Sequence, residues 1–165
     1  MKGVRKVYLD TNIFIMAFEK RDAIADILAE LFTIDTANGP KFTTSELSLS
    51  ELLVTPYREN NDSLIDNYEN LMISSDWLEV LPAVAPTLRY AAVMRAQYSS
   101  LKLPDAIHLS TAIGAQCSHF LTADRGIKDQ YSLTHVRYGI TKRASPVTVL
   151  RPDEATLNSL IESLA

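Results

Sequence analysis

Cysteine is almost absent: Cys117 is the only one in 165 residues. An internal disulfide and a Cys-rich zinc site are therefore excluded, and a reducing, cytoplasmic setting is expected. Positive charge is not in excess either. Sixteen Lys and Arg stand against twenty Asp and Glu, a net charge of -4, so bulk phosphate neutralisation is not the source of any nucleic-acid affinity and such contacts must be local. No long apolar run exists. The stretch behind Lys2, Arg5 and Lys6 is broken by Asp10 and Asn12, which argues against a signal peptide and a membrane span. There is no low-complexity segment, no internal repeat, and no run polar enough for a disordered arm.

What is present is globular: 47% hydrophobic and 22% charged residues, enough for one domain over 1–165 with a real core. Val7-Tyr8-Leu9 reads as a buried strand that delivers Asp10, and Ile13 to Phe18 as the helix it feeds. Ile24, Ile27, Leu28 and Leu31 recur at helical spacing over Asp22 to Ile34, stopped by Asn38-Gly39-Pro40. A strand is expected over Lys41 to Thr44, helices over Glu46 to Arg58 and Asp62 to Ser74, and a strand over Trp77 to Leu81. Helices then follow over Pro86 to Leu101 and Asp105 to Gln116, with the strand His119 to Thr122 delivering Asp124. A last strand, Pro146 to Leu150, and a helix over Pro152 to Leu164 close the chain. Strands alternating with helical crossovers imply an α/β domain with a mostly parallel sheet, whose ligand site lies at the carboxyl ends of the strands.

Asp10 and Asp124 fall at such ends, and Glu51 and Asp105 open helices near them. Taken singly, each has an ordinary explanation. Asp10 is a good helix cap, Ser48 and Glu51 have the spacing of a capping box, Asp105 suits the positive end of a helix, and Asp124 before Arg125-Gly126 suits a turn. If Ser45 caps the helix instead, Glu51 moves to its second turn and toward the rim. Together the four acids supply the hard oxygen ligands that a divalent ion such as Mg²⁺ needs. Gathered without a cation they would repel one another and destabilise the empty site.

Tyr8-Leu9-Asp10-Thr11-Asn12 resembles the first motif of PIN domains, and Ser45 to Glu51 the second. Leu103 to Ala112 is similar to the third motif and Leu121-Thr122-Ala123-Asp124-Arg125 to the fourth, in the order and separation of the VapC-like branch. The resemblance implies an α/β/α fold with a five-stranded parallel sheet ordered 3-2-1-4-5. It also implies Mg²⁺- or Mn²⁺-dependent RNA cleavage by Asp10, Glu51, Asp105 and Asp124, supported by Asn12 and Thr122. A VapB-like antitoxin and a homodimer are the partners it suggests, with the apolar helix stretches Leu47 to Tyr57 and Leu64 to Met72 as surfaces, although core packing explains most of those residues. Two departures stand out. Gly126 occupies the place of an acid often found two positions after the fourth-motif aspartate, and Tyr131 to Ser145 is longer than usual.

The expected chemistry is hydrolysis by water activated at a metal held by Asp10, Asp105 and Asp124, with Glu51 as ligand, water orienter or base, leaving a 5′-phosphate and a 3′-hydroxyl. His108, three residues after Asp105, reads as a packed or helix-surface histidine without a catalytic role. Arg125, Lys142 and Arg143, in a basic stretch with interspersed Tyr131 and Tyr138, are the residues expected to touch RNA, against the ordinary reading of a solvated loop. Three other readings remain open at this point: a non-catalytic PIN-like module binding RNA or protein, a metal-dependent DNA nuclease, and an aspartate-nucleophile phosphatase. The last is disfavoured because Asn12 stands where such enzymes carry a second aspartate.

Overall fold

The computed structural model describes residues 3–34 and 39–164. Lys2, and Asn38 of the expected helix stop, lie outside the described residues. The elements run β1 (Val7–Leu9), α1 (Thr11–Glu19), α2 (Ala23–Phe32), β2 (Phe42–Ser45), α3 (Leu47–Leu52), α4 (Val54–Glu59), α5 (Asp62–Leu71) and β3 (Leu78–Leu81). They continue with α6 (Ala85–Gln97), α7 (Leu103–Gly114), β4 (His119–Leu121), β5 (Gln130–Tyr131), β6 (Thr134–Arg137), β7 (Ile140–Arg143), β8 (Val147–Leu150) and α8 (Glu154–Leu164).

The main sheet has the order β3-β2-β1-β4-β8-β5. Its first five strands are mutually parallel, and they reproduce the expected 3-2-1-4-5 arrangement. The sixth, β5, is an addition: it pairs antiparallel with β8 through Gln130 and Tyr131. The long segment after it forms a separate two-stranded hairpin, β6–β7.

Side chains alternate across the sheet and seed a core on each face. Tyr8, Phe120 and Val147 join Met94 of α6 and Leu109 of α7 on one side. Val7, Leu9, Phe42, Leu78 and Leu121 join Phe14, Leu28, Tyr68 and Leu157, from α1, α2, α5 and α8, on the other. Helix starts are set locally, as when the Asp22 carboxylate accepts from the Ala25 N–H at 3.0 Å and the Asn61 side chain from Leu64 at 3.1 Å.

The helices expected over Asp62 to Ser74 and Pro86 to Leu101 stop early, at Leu71 and Gln97, and two further helix expectations are corrected for a local reason. The single helix over Glu46 to Arg58 is divided at Leu53, because Pro56 has no N–H to offer the Leu52 carbonyl and its ring crowds that oxygen. The helix over Asp22 to Ile34 ends at Phe32, where the Thr33 N–H and hydroxyl both donate to the Glu30 carbonyl. Among the described residues no helix is long and apolar enough to cross a membrane.

Candidate active site

Parallel pairing of Leu9 with Leu121 brings the carboxyl ends of β1 and β4 together, and the Asp10 N–H donates to the Leu121 carbonyl at 3.1 Å. Asp10 therefore does cap α1, its Oδ1 accepting from the Thr11 N–H at 2.8 Å. Its second oxygen does something a cap does not require. Oδ2 accepts from Asn12 Nδ2 at 2.6 Å and from the Thr122 hydroxyl at 2.6 Å. Asn12 Oδ1 in turn accepts from the Ala123 N–H at 2.8 Å, and Thr122 Oγ1 from the Asp124 N–H at 2.9 Å. The two polar residues thus lace the ends of β1 and β4 into one unit and fix where Asp10 and Asp124 leave the sheet.

Asp124 is turned by its own loop, its Oδ1 accepting from the Gly126 N–H at 2.7 Å. A Cβ at position 126 would lie 3.1 Å from that oxygen, so the missing acid leaves a close backbone approach in its place. Arg151, just past β8, donates to the carbonyls of Asp124 at 2.6 Å and of Ile127, and so holds the same loop from behind. Nothing in the sequence around Arg151 marks it for this task.

Glu51 lies in the second turn of α3. Ser45 Oγ accepts from the Leu47 N–H at 3.2 Å, whereas Ser48 is buried and faces inward, so the capping box does not form. Ser48 Oγ lies 3.1 Å from the Thr11 hydroxyl and 2.9 Å from that of Thr44, which donates to the Leu9 carbonyl. This hydroxyl chain fixes α3 against the rim. The Glu51 carboxylate accepts from the Thr11 hydroxyl and from His108 Nε2 at 2.9 Å. Burial raises the proton affinity of Glu51, but the bonds from His108 and Thr11 outweigh it and hold the carboxyl below its ordinary value.

His108 is buried on α7, and its Nδ1 lies 2.7 Å from the Tyr8 hydroxyl. Burial, and then the charge of Asp10, push the Tyr8 phenol well above its ordinary range. The Glu51 carboxylate, held ionised, can only accept, so His108 Nε2 carries a proton toward it while Nδ1 and the Tyr8 hydroxyl share the second bond. His108 is packed, as its sequence context suggests, but it also anchors an acid. The available signal was a histidine within Ala106 to Ala112, a stretch of α7 buried throughout.

Asp105 enters from the first turn of α7. Burial raises its carboxyl pKa most, followed by the charges of Asp124 and Asp10, so the three aspartates share one field. Hard carboxylate oxygens under mutual repulsion fit a divalent cation. Among the described residues, however, no three acidic, histidine or cysteine side chains close on a common point. The expected basic residues are divided. Arg125 follows Asp124 at the rim, but Arg143 lines a cavity of about 740 Å³ with Arg5, Lys6 and Ser118, at the amino ends of the strands. Lys142 is beside it on β7. Neither can act at the carboxylates on the opposite rim.

No curated protein sequence is similar to the chain. Among solved structures it is similar to a toxin-antitoxin complex from Klebsiella pneumoniae, with 21% identity, 72% of this chain and 87% of that one covered, and a TM-score of 0.53. It is also similar to VapC20 of Mycobacterium tuberculosis, described as a Sarcin-Ricin loop cleaving toxin, with 15% identity, coverage of 70% and 87%, and a TM-score of 0.55. The DNA-bound VapBC of Salmonella typhimurium matches at 17% identity, 90% and 98% coverage, and a TM-score of 0.58. At these identities the likeness is one of fold. The sequence itself matches the PIN domain model over residues 7–133, most of its length, and the chain belongs to the PIN domain family.

Proposed function

We propose that the protein, working as one domain over residues 1–165, is a metal-dependent endoribonuclease and the toxin of a VapBC-like pair. The observation that carries this reading is the common field of Asp10, Asp105 and Asp124 at the rim, with Asp105 destabilised as an anion by burial and by its two neighbours. Structure alone gives such repulsion no purpose; a cation relieves it.

Asp10, Asp105 and Asp124 would hold Mg²⁺ or Mn²⁺, and the bound ion supplies positive charge that acidifies water and offsets charge building on the phosphate. Asn12 and Thr122 orient Asp10, and Thr122 also positions the Asp124 backbone. Glu51, anchored by His108 and Thr11, stays ionised; a carboxylate with lowered proton affinity is a weak base. It orients the attacking water rather than taking its proton. Arg125 at the rim is placed to meet a substrate phosphate.

An antitoxin of the VapB type and a second copy of the chain are the expected partners. Phe18, Val54, Tyr57 and Ile73 are exposed apolar side chains on or beside α1, α4 and α5 that such contacts would cover. A cytoplasmic location is the expected one for a chain whose single cysteine, Cys117, can form no internal disulfide.

The test is cleavage of end-labelled RNA with Mg²⁺ or Mn²⁺ by the wild type, Asp10→Asn and an EDTA control, with matched DNA alongside. Discrete cuts bearing 5′-phosphate and 3′-hydroxyl ends, lost with Asp10→Asn and with EDTA, are expected. Cyclic phosphate ends would refute the water mechanism. Failure of folded, metal-loaded, antitoxin-free protein to cut would favour a binding module, and preference for DNA would change the substrate class.

A further inference from the structure

The β6–β7 hairpin lies outside the site just described and has no part in its chemistry. Its register pairs Thr134 with Arg143 and Arg137 with Ile140, leaving Tyr138 and Gly139 as a two-residue turn. Both turn residues have positive φ, 51° and 72°, which is the geometry of a type I′ hairpin. Asn, Asp or Gly normally takes the first of these positions, and a bulky residue there is uncommon. Tyr138 is nevertheless 87% exposed. Neither turn preference nor burial explains it.

Charge is the second observation. No Asp or Glu occurs from Gln130 to Pro152 in a chain with twenty of them, while Arg137, Lys142 and Arg143 lie exposed on the two strands. The Arg137 guanidinium is 5.1 Å from the Tyr138 ring centroid. The base of the hairpin is fixed: the Ala144 N–H donates to the Leu133 carbonyl at 3.0 Å, the Thr134 N–H to the Gln97 side chain at 3.1 Å, and the His135 ring meets Tyr90 edge-on at 5.6 Å.

We propose that this hairpin is an RNA-gripping arm, with Arg137 and Lys142 on one face and Arg143 on the other meeting phosphates to either side, and Tyr138 at the tip stacked on an unpaired base. Charge complementarity and the exposed ring favour RNA over a second copy of the chain, because two such arms would bring like charges together. Val136 and Ile140, the other exposed apolar residues, fall on opposite faces of the ribbon and make no continuous apolar stripe. The inference deepens the nuclease reading, on which it rests, by naming where RNA beyond the cleaved bond is gripped. The arm is rooted toward the amino ends of the strands, and the four steps along β1 from Lys6 to Asp10 alone span roughly 13 Å at about 3.3 Å each. An RNA that engages both the rim and the arm must span at least that distance, as a folded stem-loop can.

The test measures binding of a stem-loop RNA and of a short single-stranded oligomer across a salt series, using the full-length chain carrying Asp10→Asn to prevent cleavage. Adding Arg137→Gln, Lys142→Gln and Arg143→Gln together should lower the steepness of log K against log salt for the stem-loop by about 2–3, at about 0.7–0.9 per phosphate contact. Tyr138→Ala should weaken stem-loop binding about tenfold while leaving the salt slope in place. All four side chains are exposed, and matching thermal melts verify the fold. Stem-loop affinity and slope that survive both sets of substitutions overturn the arm, whatever the protein then does with DNA or an acidic peptide. Loss of binding by these variants, in a protein whose wild type never cuts RNA, upholds the arm and sinks the nuclease reading instead.

Discussion

Tyr8→Phe removes one oxygen and little else. The Tyr8 ring is wholly buried and stacks on Phe120 at 5.0 Å between centroids, with the planes 5° apart, and phenylalanine keeps that packing. What is lost is the partner of His108 Nδ1 at 2.7 Å, which leaves a buried polar nitrogen unpaired on a histidine that is only 2% exposed. Orphaning such a group costs about 1–3 kcal/mol. For a domain of this size each kcal/mol moves Tm by about 2–4 °C, so calorimetry should show Tm falling by about 2–12 °C. The double variant Tyr8→Phe/His108→Leu removes both partners and leaves Glu51, which is partly exposed, to water. Its stability loss should be clearly smaller than the sum of the single losses. Additive losses, or a Tyr8→Phe melt within error of the wild type, would show that the Tyr8–His108 bond does not hold the network together.

Asp105→Asn should raise Tm of the metal-free protein at neutral pH. A raised folded-state pKa means the folded chain keeps this proton more readily than the unfolded one, so the penalty of ionisation is complete above the raised value and absent below the ordinary aspartate range; the gain should therefore vanish in acid, and a gain independent of pH would refute the shared field. Gly126→Ala places a Cβ 3.1 Å from Asp124 Oδ1, so RNA cleavage should fall about tenfold from a displacement of a few tenths of an ångström, with the melt nearly unchanged. Undiminished cleavage would show that the close approach at Gly126 does not govern the carboxylate.

The parallel sheet was readable where its strands are short buried runs: Val7 to Leu9 and His119 to Leu121 are buried throughout, the first followed directly by Asp10 and the second leading through Thr122-Ala123 to Asp124. The two-residue strand β5 was not readable, since Gln130-Tyr131 has no periodicity of its own and exists only because β8 offers an edge. The hairpin turn was hidden for a different reason: tyrosine at the first turn position contradicts the usual turn chemistry. Basic residues near one another in sequence suggested one RNA surface, but the antiparallel return of β5 carries the chain back down the sheet and parts Arg125 from Lys142 and Arg143. For the site itself, Asp10, Asp105 and Asp124 were legible as acids near strand and helix ends. The supports contributed by Tyr8, His108 and Arg151 were not, because they reach across 100, 57 and 27 residues respectively and local spacing carries no trace of them.

The grip of Arg151 on the Asp124 loop bears on when the protein becomes competent during its own synthesis. Three of the four acids and every strand of the sheet except β5 and β8 precede Asp124 in the chain, yet the loop presenting it is held by a guanidinium 27 residues further on. A ribosome-bound chain that has exposed Asp124 but not Arg151 has its acids without the clasp that aims the last of them. Synthesis through Arg151 is thus the step that fixes the Asp124 loop in place, and under the proposed nuclease reading it is also the step that sets the last of the four acids at the rim.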